Sequence, residues 1–249
     1  MFTMVFLCIA GFLASFIDSI AGGGGLISVP AFMIAGLSPH IVLGTNKLAA
    51  TTGSFTSSLK FAKSGLCNFN LLKILIPFTL VGSIIGVRTV LLIDQKFLQP
   101  LVLVLVLCIG VYTLFSKNIG QEDKFKELNK KNIALGILLA FTLGFYDGFF
   151  GPGTGSFLVF GFINIFGFNF LNASANARFL NFVSNITALV TFAFSGSINY
   201  KIGLMVAVFM IIGARAGTKL AINKGAKIIK PIFVTMSLAV ALKMLLSIF

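Results

Sequence analysis

An all-α, polytopic transmembrane helical bundle of two inverted repeats, each a glycine-broken hairpin plus three spanning helices, is the fold this sequence predicts. Three observations carry that prediction: apolar runs long enough to cross a bilayer, an internal repeat over almost the whole chain, and the distribution of lysine and arginine along it.

The 249 residues are 57% hydrophobic and only 10% charged, against roughly 25% charged in a soluble domain, and the mean hydropathy is +1.05. The runs VFLCIAGFLASFI, PLVLVLVLCIGVYTLF and NYKIGLMVAVFMIIGA, taken with their flanks, reach the about 20 residues a spanning helix needs. Helices are implied rather than strands, because lipid cannot satisfy an exposed backbone and the alternation of a barrel is missing. The net charge of +13 is spread over short loops between apolar runs. It therefore reads as topology-setting and not as a nucleic-acid surface. MFTMVFLCIAGF has neither a basic n-region nor an A-x-A-like site, so it is expected to be a retained span and not a removed signal. Cys8, Cys67 and Cys108 are scattered, with no disulfide frame and no metal spacing, and are read as packing residues.

The repeat begins at the glycines. IDSIAGGGG at 17–25 matches YDGFFGPGT at 146–154, which pairs Asp18 with Asp147, Gly22 with Gly151 and Gly24 with Gly153 at an offset of 129. Farther on the offset is 131: Lys47 meets Arg178, Ser64-Gly65 meets Ser195-Gly196, and Asn68 meets Asn199. Gly82 and Gly86 meet Gly213 and Gly217, Lys96 meets Lys227, and Pro100 meets Pro231. The expected organisation is a first transmembrane repeat at 1–116, a polar cytoplasmic linker at 117–131 and a second repeat at 132–249. After each broken segment, spans are expected over about 45–64, 70–90 and 97–116, then over about 173–194, 201–222 and 228–248. Gly82, Gly86, Gly213 and Gly217 have the spacing of close helix packing.

Each broken segment is read as a hairpin for two reasons. About 37 helical residues in line would extend roughly 55 Å, too long for a hydrocarbon core of about 30 Å. If each segment also returns to the side it entered, fourteen of the nineteen Lys and Arg fall on one side, including Lys60, Lys63, Lys73, the linker lysines, Arg178, Arg215, Lys219 and Lys224. Counting each segment as a single crossing divides them almost evenly. The positive-inside rule selects the hairpin, and a hairpin plus three crossings forces the copies to run in opposite directions.

Breaking a helix at membrane depth frees backbone groups, which only protein or a wet cavity can satisfy. The helix restarting near Leu26, like its counterpart near Gly155, offers N–H groups and the positive end of a dipole, a ready anion site. The following span adds a cation in each copy, Lys47 in GTNKLAATTGS and Arg178 in SANARFLNFVSN. Hydroxyls at Thr45, Ser54 and Ser184 add donors. The candidate binding set is Gly22, Gly23, Gly24, Gly25, Asn46 and Lys47 with Gly151, Gly153, Thr154, Gly155, Asn176, Arg178, Asn181 and Asn185. A small anion is the natural guest; no cofactor and no metal are expected. Asp18 and Asp147 have three open roles: carrying a proton, pairing with Lys47 or Arg178, or capping the freed N–H groups of the glycine loop.

These residues resemble the sulfite exporter TauE/SafE family of bacterial and plant membrane permeases. The resemblance rests on the Asp18-to-Gly25 break, GTNKLAATTGS and FAKSG in the first copy, and on YDGFFGPGTG, NARFLNFVSNITAL and FSGSINY in the second. It implies a multi-pass cell-membrane protein, in a bacterium of the inner membrane, that moves small sulfur-containing anions such as sulfite, sulfonates or sulfoacetate, outward and without ATP. A passive anion channel using the same basic residues is the alternative. An enzyme is not expected. GTGS at 153–156 loosely resembles a serine protease loop, but the single histidine, His40, is expected in a solvated loop of the other copy, and no nucleotide or metal motif occurs.

Overall fold

A computed structural model describes residues 2–98, 100, 104, 125 and 128–224. The expected span at 228–248, that at 97–116 apart from residues 97, 98, 100 and 104, most of the linker, and Cys108 lie outside the described residues. Among those described, the regular structure is entirely helical: α1 Phe2–Ala21, α2 Gly25–Ile34, α3 Pro39–Lys63, α4 Phe69–Leu91, α5 Lys130–Phe149, α6 Thr154–Phe166, α7 Phe170–Phe194 and α8 Tyr200–Lys224.

Local chemistry sets these boundaries. Asn68, Asn129, Asn169 and Asn199 precede α4, α5, α7 and α8, and each side chain accepts the backbone N–H three residues on, at 2.8–3.1 Å. Each cap satisfies a donor that the first helical turn leaves free. α2 ends at Ile34, the chain turns at Gly36, which takes φ +84°, and Pro39 then stands at the start of α3, where its missing N–H costs nothing.

Four helices match the expected spans within a few residues, with one difference at α3. That helix starts six residues earlier than predicted, so Gly44 is inside it rather than before it. A side chain at Gly44 would collide with the Ser197 carbonyl, so this glycine serves close packing and is no helix breaker. His40 consequently lies in the first turn of α3, half-buried, with Nε2 3.1 Å from the Val90 carbonyl, and not in a solvated loop.

α1, α4, α5, α7 and α8 are each long and apolar enough to cross a membrane. α3 has the length, about 37 Å at 1.5 Å per residue, but its polar residues are turned inward: Thr45, Asn46, Lys47, Thr51, Ser54, Ser57 and Ser58 are all buried. α2 and α6, with 10 and 13 residues, extend only about 15 and 20 Å. The second arm of each hairpin is thus too short to cross a 30 Å core.

Contacts fix the helix directions. Side chains at Gly213 and Gly217 would strike the carbonyls of Phe12 and Phe16, and side chains at Gly82 and Gly86 those of Phe141 and Phe145. α1 therefore runs parallel to α8, and α4 to α5, in the backbone-on-backbone contact that small-xxx-small spacing permits. α8 also lies parallel to α3, where Thr52 Oγ1 donates to the Ala207 carbonyl at 3.2 Å and Thr218 Oγ1 to Ser57 Oγ at 2.9 Å. α3 and α7 are antiparallel. Beyond the end of α3 the Asn68 N–H donates to Asn176 Oδ1 at 2.8 Å; beyond the end of α7 the Asn199 N–H donates to Thr45 Oγ1 at 2.9 Å. These two bonds are equivalent at the offset of 131. α1, α3 and α8 run one way and α4, α5 and α7 the other, so corresponding helices of the two copies have opposite senses. The directions also gather Lys60, Lys63, Lys73, Lys130, Lys131, Arg215, Lys219 and Lys224 at one end of the bundle.

Candidate functional site

The glycine breaks meet each other. Gly22 and Gly23 take φ +90°, and Gly151 and Gly153 take +99° and +85°, conformations that favour glycine. They let the chain reverse within three or four residues. A side chain at Gly25 would lie 2.9 Å from Pro152 Cα, and one at Gly22 would strike the first turn of α6 at Gly155 and Ser156. Thr154 closes its own turn by donating from Oγ1 to the Gly151 carbonyl at 2.7 Å.

Around this contact the four charged groups pair across the copies. Lys47 Nζ on α3 lies 2.8 Å from Asp147 Oδ2 on α5, with side-chain exposures of 3% and 2%. Arg178 Nη1 on α7 lies 2.5 Å from Asp18 Oδ2 on α1, with exposures of 1% and 25%. Each acid thus neutralises the cation of the other copy. Asp18 also accepts the Gly24 N–H at Oδ1, 3.1 Å, so it serves as counter-ion and loop cap together. Asp147 Oδ1 is 3.5 Å from Asn181 Nδ2, a distance at the limit for a hydrogen bond. Lys47 Nζ donates to Asn185 Oδ1 at 2.9 Å, and Ser28 Oγ donates to Asn46 Oδ1 at 2.6 Å.

A cavity of about 40 Å³ lies among these groups, lined by Asp18, Gly24, Gly25, Ser28, Asn46, Lys47, Asp147, Gly151, Gly153, Gly155, Asn181 and Asn185, with Ala14, Ser15, Ala50 and Met210. At about 10–15 Å³ per water-sized group, it has room for a small oxyanion headgroup. Arg178 stands just behind Gly155: Nε and Nη2 are buried and have no hydrogen-bond partner among the described residues. Two orphan donors on a buried guanidinium are expensive to leave unmet. They form a fork suited to a planar or tetrahedral oxyanion.

The structure brings together most of the residues the sequence singles out. Asn176 is elsewhere, its Oδ1 on the Asn68 N–H and its Nδ2 on the Asn172 carbonyl at 2.8 Å. Thr45 makes the equivalent bond in the other copy. Gly22, Gly23 and Thr154 shape the turns without lining the cavity. Ser15, Ser28, Ala50 and Met210 line it although nothing in the sequence marks them, except that Ser28 stands one helical turn after Gly24, at whose carbonyl its Oγ also points, 3.3 Å away.

The profile of the Sulfite exporter TauE/SafE family matches residues 7–244, from the start of α1 through both breaks and both cation-bearing helices. The chain belongs to this family. It is 40% identical to the probable membrane transporter protein ORF9 of Sinorhizobium sp., over 97% of this chain and 92% of that one. It is 39% identical to a probable membrane transporter protein of Haemophilus influenzae, over 96% and 93% of the two chains. Identity to the probable membrane transporter protein YfcA of Escherichia coli K12 is 40%, over 94% and 86%. No solved structure matches. With its apolar helices, this TauE/SafE chain is a multi-pass membrane protein and a transporter.

Proposed function

We propose that the chain is a secondary transporter of small sulfur-containing anions, such as sulfite, sulfonates or sulfoacetate, working outward by alternating access. The observation that carries this reading is the buried guanidinium of Arg178, with two donors unmet, beside a small cavity that also holds Lys47. An anion there is held by Arg178, Lys47 and the amides of Asn46, Asn181 and Asn185. It takes the place of the Asp18 carboxylate on Arg178, beside the Lys47–Asp147 pair. The repeats at 1–116 and 132–249, joined by the linker at 117–131, then rock about their contact and open the site to each side in turn.

Thermal-shift screening of purified protein against sulfite, sulfate, taurine, sulfoacetate and simple carboxylates tests the substrate class, because a ligand that binds only the folded state raises its stability. Stabilisation by sulfonates or sulfite and not by carboxylates is expected. Equal stabilisation by all, or by none, overturns the class. Counterflow in proteoliposomes distinguishes a carrier from a channel: accumulation of labelled substrate against its gradient is expected, and its absence alongside rapid flux would establish the channel.

A further inference from the structure

We infer that the anion moves together with a proton, and that Asp18 is the group that takes it up. This rests on the anion-site reading above and adds the coupling ion to it. At rest the site holds two cations and two carboxylates, paired one to one and nearly sealed from water. It is electroneutral, so a monovalent anion entering unaccompanied leaves one uncompensated negative charge where the surroundings screen poorly. A proton delivered with the anion removes that charge.

Accessibility identifies the acceptor. Among the four charged side chains only Asp18 has appreciable exposure, 25%, against 1–3% for Lys47, Asp147 and Arg178. Its neighbours come from every side. α7 presents Arg178, bound through Nη1 alone. The turn before α2 donates the Gly24 N–H. α3 brings Lys47 and α5 brings Asp147, both lining the same cavity. α6 adds the backbone at Gly155, and α8 adds the neutral Met210 and the glycine backbone packed on α1. Asp147 is less suited, because Lys47, itself also bonded to Asn185, seals it.

The step balances. A proton from water on the entry side bonds to the Asp18 carboxylate, and the Arg178–Asp18 ion pair opens. Nη1 joins the unmet Nε and Nη2, and the guanidinium takes the anion in place of the carboxylate. Neutral Asp18 keeps the Gly24 N–H on its carbonyl oxygen. When the anion leaves on the far side, the proton is released there and the ion pair closes again.

The test measures proton uptake on binding by the purified full-length protein in weakly buffered detergent at pH 7. Isethionate and methanesulfonate serve as probes, since a sulfonate does not titrate there. Uptake of about one proton per anion is expected, with Kd weakening about tenfold per pH unit above neutrality. Asp18→Asn is expected to bind with no proton uptake and no pH dependence, and Asp18→Glu to restore both. Binding by the wild type without proton uptake overturns the coupling, whether or not Asp18→Asn folds. Undiminished uptake by folded Asp18→Asn overturns the choice of acceptor. Failure of both sulfonates to bind at any pH refutes the anion-site reading instead, and the coupling falls with it.

Discussion

Asp18 and Arg178 stand 160 positions apart and meet in an ion pair between Oδ2 and Nη1 at 2.5 Å. The pair joins α1 of one copy to α7 of the other, and Lys47 with Asp147 makes the reciprocal link from α3 to α5. Neither copy neutralises its own cation, so the site is balanced only when the two are together. Any relative movement of the copies acts directly on both pairs.

Removing one partner of such a pair strands the other. Arg178→Gln leaves Asp18 without its counter-ion and is expected to destabilise the protein by about 3–5 kcal/mol, read as a lowered thermal midpoint, and to abolish anion binding. Asp18→Asn/Arg178→Gln is expected to recover most of the stability and none of the binding. A double variant no more stable than Arg178→Gln would show that the pair contributes little.

Gly155 offers a milder perturbation of the same guanidinium. A Cβ there would lie 3.0 Å from Arg178 Cζ and closer still to Nη2, but the clash is with the end of a flexible side chain. Gly155→Ala is therefore expected to push the guanidinium aside. Anion affinity should fall about tenfold or more, equivalent to about 1.4 kcal/mol, with a smaller loss of thermal stability than Arg178→Gln causes. Unchanged affinity, measured by calorimetry, would remove Arg178 from the binding site.

Much of this arrangement was legible in the repeat. The offset that aligns Asp18 with Asp147 and Lys47 with Arg178 brings to notice all four charged groups that now face one another, because burying charge in an apolar helix demands a reason that composition alone exposes. The crossed pairing was not legible. An acid and a cation in the same copy looked equally able to pair, and only the meeting of the two copies at the breaks decides it, by setting Asp18 against Arg178 and Lys47 against Asp147. Asn176 misled because it stands five residues before Asn181, a spacing that turns its side chain about 140° away from that of Asn181, and the start of α4 claims it as the partner of Asn68.

Cys67 supplies a pH-dependent check on the packing where α3 gives way to α4. Burial pushes its thiol up to about 11, and Sγ donates to the Ala175 carbonyl at 3.6 Å. The neutral thiol therefore persists across the physiological range, and thiolate forms only as pH approaches that value. With Cys8 and Cys108 replaced by serine, iodoacetamide is expected to react at pH 7.5 on the order of a hundredfold more slowly than with an exposed thiol. The rate should climb about tenfold per pH unit up to pH 10. A rate that levels off near pH 8.5 would place Cys67 in water, detached from α7.

The contact between the breaks allows the rocking itself to be stopped. A Cβ at Gly25 would lie 3.3 Å from Pro152 Cβ, close to the about 3.5–4.5 Å a disulfide requires, and the two residues belong to different copies. In a background with Cys8, Cys67 and Cys108 replaced by serine, the variant Gly25→Cys/Pro152→Cys is expected to cross-link on oxidation. Neither substitution removes Arg178 or Lys47, so the reduced and oxidised forms of this variant should be stabilised alike by sulfonates, while proteoliposome flux falls to background on oxidation and dithiothreitol restores it. If the copies must move apart at the breaks for the site to change sides, no other outcome is compatible with a covalent link there. Full flux through the oxidised protein would mean that ions pass while the breaks stay in contact, which is how a channel behaves.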